Sequence, residues 1–274
     1  MFRSLTLLLL LWMCFAEKGF SAESIDIAAE DDAGLWSQKD GTGLANDIVL
    51  AAYKAEGIEA RLTVMPYARC KNMVVSAEIV ACFSMSKYPA LAETIVFADR
   101  PLFVCHADLF HSLSHPLTIK SEKDIPKGTV VGTVRGYEYP DLLNRLKENG
   151  TVVFEEVDAE ELNLKKLVDG RIQLAVINQD NTKPAMALML ATGTVGKVES
   201  VFRCGDLESF LAFSKKHPKS EWAREKFNSG MKKIEADGTL AQIQKKWEDI
   251  ANAALKKQAG AREPAPTVPV PNGK

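Results

Sequence analysis

Apolar and polar residues recur along this chain in two rhythms, and the rhythm switches at short intervals. "SIDIAA" (24–29) alternates with period two and predicts a strand, whereas Leu44, Ile48, Ala52 and Ala55 recur at helical spacing until Gly57 ends the run. "EARLTVMP" (59–66) predicts the next strand, 68–76 a short helix, and "IVACFS" (79–84) a third strand. "IVFADRPLFVCHADLFH" (95–111) then carries strand-like runs with no helix between them. A second cycle opens at "GTVVGTV" (128–134), continues through a helix over 139–149, the strand "TVVFEEV" (151–157) and a helix over 159–169, and closes on the strand "IQLAVIN" (172–178). "ESFLAFSKKHP" (208–218) predicts a late strand leading back towards the first cycle, followed by helices over 220–237 and 239–255 with Gly238 as the break. Strand, helix, strand, helix, strand therefore occurs twice, separated by an irregular link. The pattern predicts an α/β protein of two similar lobes, each a mostly parallel sheet flanked by helices, with a cleft between them.

Composition changes this picture little. A length of 274 residues is comfortable for two lobes, and 46% hydrophobic with 26% charged residues is ordinary for a globular protein. A net charge of -2 gives no reason to expect nucleic acid as a partner.

The two ends read differently from the middle. Arg3 precedes the apolar run Leu5 to Cys14, and small and polar residues follow up to Ala22, which is the layout of a secretory signal peptide. Cleavage after Ala22 is the first choice and cleavage after Ala16 the rival. "LWMC" (11–14) is a poor lipoprotein signal, because Met13 is larger than the residue expected before a lipidated cysteine. No other apolar run approaches the roughly 20 residues that a membrane helix needs, so the mature chain is expected to be exported and soluble. The tail "GAREPAPTVPVPNGK" (260–274) is rich in proline, lacks periodicity and is expected to be disordered.

Beyond Cys14, the chain carries Cys70, Cys82, Cys105 and Cys204. In an oxidising compartment these allow three pairings into two disulfides; a local Cys70–Cys82 bridge is one option and buried free thiols another. No CxxC or Cys/His ligand spacing occurs. His106, His111 and His115 fall on a strand and a loop with no carboxylate or cysteine to complete a set, so neither a metal nor a cofactor is expected. No Ser/His/Asp order or phosphate loop is present, and no catalytic residue is assigned.

Local chemistry singles out one junction. In "GTVRGYEY" (132–139) a strand opens onto a helix, where exposed N–H groups and the helix dipole favour negative charge. Arg135 supplies a cation, Gly136 permits positive φ or close approach, and Tyr137 can line a cleft, while Glu138 opposes an anion. Trp36 follows the acidic run "EDD" (30–32). Arg69 follows a strand in "PYARC" (66–70), and Asp180 ends one, which is where open parallel sheets bind ligands.

Several segments together carry a resemblance. "KKIEADGTLAQIQKKWE" (232–248), "DGTGLANDIVLAAYKAEG" (40–57), "MPYARC" (65–70), "CFSMSKYPALAETIVFADRPLF" (82–103) and "GRIQLAVINQD" (170–180) resemble, in order and spacing, the family 3 extracellular solute-binding proteins. These are the amino-acid-type receptors of bacterial ABC importers, and the likeness covers about residues 23 to 255. It implies the two-lobed periplasmic-binding-protein fold joined by two hinge strands. Lobe 1 would combine 23–107 with 206–258, lobe 2 would be 108–205, 1–22 would be the signal peptide and 259–274 the tail. It further implies a small-molecule ligand between Trp36, Ser84, Ser86 and Asp180, closure by hinge motion, and a monomer serving a membrane permease or a sensor in the periplasm. One position departs from the pattern. Where these receptors carry the arginine that grips the ligand's α-carboxylate, this chain has Leu91, which cannot make that bidentate contact. The expected ligand is therefore an amine-bearing or zwitterionic solute other than a standard α-amino acid, with Arg69 and Arg135 as candidates to replace the lost grip. The alternatives are a periplasmic dehydratase of prephenate-like acids, or a receptor for a sensor or redox partner.

Overall fold

The computed structural model describes residues 23–31 and 33–260. The signal peptide expected over 1–22, Asp32, and the tail from 261 onward lie outside the described residues.

β1 (Glu23–Glu30) runs parallel to β2 (Ile58–Met65), in register from Glu23↔Ile58 to Glu30↔Met65, and to β3 (Ala81–Met85) at Ala28↔Cys82. The strands are parallel because each return passes through a helix, α1 (Leu44–Ala55) and then α2 (Tyr67–Val75). Ile27, Ala28, Ala29 and Glu30 are all buried, as a strand covered on both faces requires. A second parallel set has β6 (Thr129–Val134) between β7 (Val152–Val157) and β8 (Leu174–Gln179), with α3 (Asp141–Glu148) and α4 (Glu160–Val168) in the connections.

Two antiparallel strands join the sets. β5 (Phe103–Ser112) pairs with β8 from His106↔Gln179 to Phe110↔Ala175, and with β9 (Val198–Ser214) from Phe103↔Ser209 to Ser112↔Val198. The far end of β9 pairs with β3 at Ala81↔Phe213 and with the short β4 (Ile95–Phe97) at Val96↔Phe213. The resulting order is β2-β1-β3-β9-β5-β8-β6-β7, so the chain enters the second lobe on β5 and returns on β9.

Two features depart from the sequence rhythm. β9 begins ten residues before the predicted "ESFLAFS" strand, at Val198 rather than Glu208. Its pairing with β5 shifts register between Ala107 and Asp108, opposite Gly205 at φ 142°, and such a bulge breaks the period-two pattern. α5 (Ala185–Thr192, "AMALMLAT") was not expected at all. Its side chains are nearly all apolar, so no polar face marks it as amphipathic.

α6 (Ser220–Ala236) and α7 (Thr239–Gly260) cover α1. Tyr53 Oη donates to the Ala223 carbonyl at 3.0 Å, and Trp247 Nε1 donates to Asp47 at 2.8 Å. No described helix is long and apolar enough to cross a membrane, and no described group of three or more His, Cys, Asp or Glu could hold a metal ion. His111 is engaged structurally: Nδ1 accepts from the Leu117 N–H at 2.9 Å while Nε2 lies 2.9 Å from Glu199.

The disulfide is Cys70–Cys82, which ties α2 to β3, and Cys105 and Cys204 are buried free thiols. A loop of this size (separation 12) restrains the unfolded chain by about 3 kcal/mol. Cys70→Ser/Cys82→Ser is expected to lower the unfolding free energy by about that amount, read from urea midpoints. An unchanged midpoint would show that the bridge contributes nothing to stability.

Candidate cleft between the two lobes

The carboxyl ends of the parallel strands in both lobes face one another, the position where open α/β sheets hold ligands. From the first lobe, β1 ends in Glu30 and a 3-10 turn (Gly34–Trp36) brings in Trp36; β2 leads to Tyr67, and β3 to Ser84 and Ser86. From the second, β6 leads to Gly136, Tyr137 and Glu138, and β8 ends beside Asn178 and Asp180. Glu30, Trp36, Tyr67, Ser84, Ser86, Tyr137, Glu138 and Asn178, with Phe103, Cys105, Leu207 and Ser209 from the joining strands, enclose a cavity of about 30 Å³. That is on the order of one water molecule.

Hydrogen bonds across the cleft account for this small size. Trp36 Nε1 donates to Asp180 Oδ2 at 2.9 Å, and Tyr137 Oη donates to Glu30. Glu138 accepts from Tyr67 Oη, from Lys71 Nζ at 2.8 Å and from the Ser86 N–H at 3.3 Å. Lys71 Nζ also donates to the Gly136 carbonyl. Gly136 has φ 84°, and a Cβ there would lie 3.1 Å from Ala68 Cβ, so its expected roles in positive φ and close approach are both in use. Lys183 is buried, donates to Glu160, and places Nζ 4.5 Å from the Trp36 ring centroid. Trp36 stacks on Phe103 at 4.6 Å, and Tyr67 meets Tyr137 edge-on at 5.2 Å.

Electrostatics follow from burial. Glu30 is 3% exposed, and desolvation pushes its carboxyl up to about 8 despite the Tyr137 hydrogen bond and the Lys183 charge. Burial also raises Asp180, against hydrogen bonds from Lys183, Trp36 and Thr182. Burial and the adjacent Glu30 and Glu138 hold the Tyr137 and Tyr67 phenols above the usual range. Burial, with smaller contributions from the acids Asp180, Glu160 and Asp206 and against the Lys183 charge, pushes the Cys105 thiol up to about 12, so it lines the wall as an inert group.

Four of the eight residues singled out in the sequence line the cavity: Trp36, Ser84, Ser86 and Tyr137. Ser84 is strained at φ 65°, where β3 shifts register against β9, and its buried Oγ has no partner. Gly136 and Asp180 stand directly behind the lining through Lys71 and Trp36. Arg69 and Arg135 do not line it. Both are exposed, and Arg135 faces Asp158 at 3.3 Å and Glu156 at 3.6 Å. Leu91 is buried with Met65, Tyr67, Cys70 and Met85 in the core of the first lobe. Sequence reasoning did not single out Lys71, Glu160, Asn178 or Lys183. No local signal marks them, because each gains its meaning from a partner on another element.

No protein-family model matches the chain, and no curated protein matches it. Solved structures do match. An ancestral arginine-binding protein bound to arginine is 21% identical, with TM-score 0.66, over 82% of this chain and 97% of that one. A histidine kinase sensor domain with similarity to periplasmic binding proteins is 16% identical, with TM-score 0.68, over 82% and 95%. An ancestral amino-acid-binding protein described as a precursor of cyclohexadienyl dehydratase is 16% identical, with TM-score 0.62, over 82% and 95%. The chain has the two-lobed periplasmic-binding-protein fold. In that frame, β5 and β9 are the strands that join the lobes, and the cavity lies where the lobes meet.

Glu30 binds its proton more tightly in the folded protein than in the unfolded chain. Wild type is therefore expected to lose stability relative to Glu30→Gln as pH rises from 4.5 through about 8. Urea unfolding of both proteins on either side of that window measures the difference. Parallel pH profiles would refute the raised value.

Proposed function

We propose that the chain is a periplasmic receptor that binds a small polar solute between its lobes by hinge closure and passes it to an ABC permease. The observation that carries this reading is the meeting of side chains from both lobes around one cavity at the strand ends, through Trp36–Asp180, Tyr137–Glu30 and Tyr67–Glu138. A solute entering an open form would take over these partners as the lobes close on it. Trp36, Ser84, Ser86, Gly136, Tyr137 and Asp180 then form the site, joined by Glu30, Tyr67, Glu138 and Asn178. Arg69 stays at the surface, and Arg135 lines the adjoining cavity of about 360 Å³ that shares Glu30, Tyr67 and Tyr137 with this one. The ligand is not a standard α-amino acid, since Leu91 packs into the core and no arginine lines the cavity. Delivery to a sensor is the variant that the histidine kinase neighbour favours.

A catalytic reading has one observation in its favour: a buried carboxyl at Glu30 that keeps its proton to about 8 is suited to general-acid chemistry on a prephenate-like acid. The lack of a cation in the lining counts against it, because such substrates are anions. Incubation with prephenate separates the two, as product formation would establish the enzyme.

A thermal-shift screen over amines, amino acids and organic acids tests the receptor reading. A ligand at a hundred times its Kd is expected to stabilise by about 2.7 kcal/mol and raise Tm accordingly. Trp36→Ala and Asp180→Asn are expected to remove that rise, while Arg69→Ala and Arg135→Ala keep it. Loss in the arginine variants with retention in the other two would move the site out of the cavity.

A further inference from the structure

The cavity combines acids and aromatic rings and has no basic side chain among its lining residues. Glu30 and Glu138 supply the carboxylates, and Trp36, Phe103, Tyr67 and Tyr137 supply the rings. Two lysines stand nearby, but each is committed to a buried carboxylate, Lys71 to Glu138 at 2.8 Å and Lys183 to Glu160. Counting Asp180 behind Trp36, four carboxylates share two ammonium groups, an excess of two negative charges when all are ionised. An anion brought into such surroundings would meet like charge in a poorly hydrated place, whereas a cation would be attracted.

Two independent features point the same way. Trp36 is packed by Phe103 at 4.6 Å and by Lys183 Nζ at 4.5 Å, the geometry of a cation–π contact, so it walls the cavity and leaves the Tyr67 and Tyr137 rings to meet a ligand cation. Asn178 is 5% exposed and lines the cavity, and its buried Oδ1 has no partner, so the amide is available to a ligand. The Ser84 hydroxyl is in the same condition.

We propose that the cleft takes an organic cation without a carboxylate, an amine, guanidine or quaternary ammonium held between the Tyr67 and Tyr137 rings and the Glu30 carboxylate, with Trp36 as the wall. The proposal rests on the receptor reading above and adds the class of solute. It also couples binding to a proton. Glu30 faces Tyr137, Lys183, Glu160, Asp31 and Tyr67, and in this setting holds a proton near neutral pH. A bound cation favours its ionised form, so the cation replaces the proton. Affinity for a cation that has no proton of its own therefore rises as pH increases towards and past about 8.

Matched ligand pairs test the class by isothermal titration calorimetry: agmatine against arginine, putrescine against ornithine, and choline against betaine. Within each pair the second compound carries the carboxylate. At least one of the cations is expected to bind, with its partner weaker by about tenfold or more. Equal or tighter binding of the carboxylate-bearing partner overturns the class while leaving the receptor reading intact. Failure of all three cations also overturns the class, and the broader thermal-shift screen then judges the receptor reading separately. Choline, which cannot titrate, is expected to release up to about one proton on binding near pH 7, measured in buffers of different ionisation enthalpy. If agmatine or putrescine alone binds, its proton count after correction for its own titration serves the same purpose. Glu30→Gln, isosteric with the protonated acid, is expected to fold normally, to abolish the release and to weaken the cation by about tenfold or more. Unchanged affinity and proton release in that variant would remove Glu30 from the site and with it the proposal.

Discussion

A carboxylate withdrawn from water must gather hydrogen-bond donors or keep its proton, and that constraint organises the centre of this molecule. Four acids meet where the lobes approach, and each satisfies it differently. Glu138 accepts from a phenol, an ammonium and a backbone N–H. Asp180 accepts two backbone N–H groups of its own turn, at 2.8 and 2.7 Å, and an indole from the other lobe. Glu160 receives Lys183 and the Asn178 N–H. Glu30 has a single phenol donor and a distant positive charge, and it remains protonated to about 8. The donors for three of these four acids include groups from elements that are remote in the chain, so the same bonds that satisfy the acids hold the lobes together.

The joining strands make that arrangement possible. β5 and β9 are paired over Phe103–Ser112 and Val198–Ser209, and each also pairs with a strand of a parallel set, β5 with β8 and β9 with β3. The two parallel sets are thereby turned with their carboxyl ends towards a common gap. A site at such ends draws its side chains from short loops after strands, which can vary while the sheets stay constant. This is how a fold shared with an arginine-binding structure at 21% identity can carry a lining of acids and rings.

Much of the fold was legible in the order of residues. Elements with one buried face, such as α1 with Leu44, Ile48 and Ala52, announced themselves through period. α5 did not, because an all-apolar helix has no polar face to set a rhythm, and the first half of β9 did not, because a bulge at Gly205 interrupts one. The candidate site was legible in part. Trp36, Ser84, Ser86, Gly136, Tyr137 and Asp180 follow from strand ends and resemblance, both properties of local sequence. Arg69 and Arg135 had the same local credentials, yet their side chains are exposed.

By itself, then, the sequence determined the α/β class, the twofold cycle of strands and helices, and a leucine rather than a cation at position 91. These depend on contacts within a few residues or on one side chain's chemistry. Only the tertiary structure decided which groups meet: Glu30 with Tyr137, 107 residues apart, Trp36 with Asp180, 144 apart, and Lys183 over the Trp36 ring. It also decided that Cys70 pairs with Cys82 while Cys105 and Cys204 stay reduced. The reason is physical. A pKa, a cation–π contact or a disulfide depends on distance and burial, and for residues so far apart in the chain both are set only when the sheets pack.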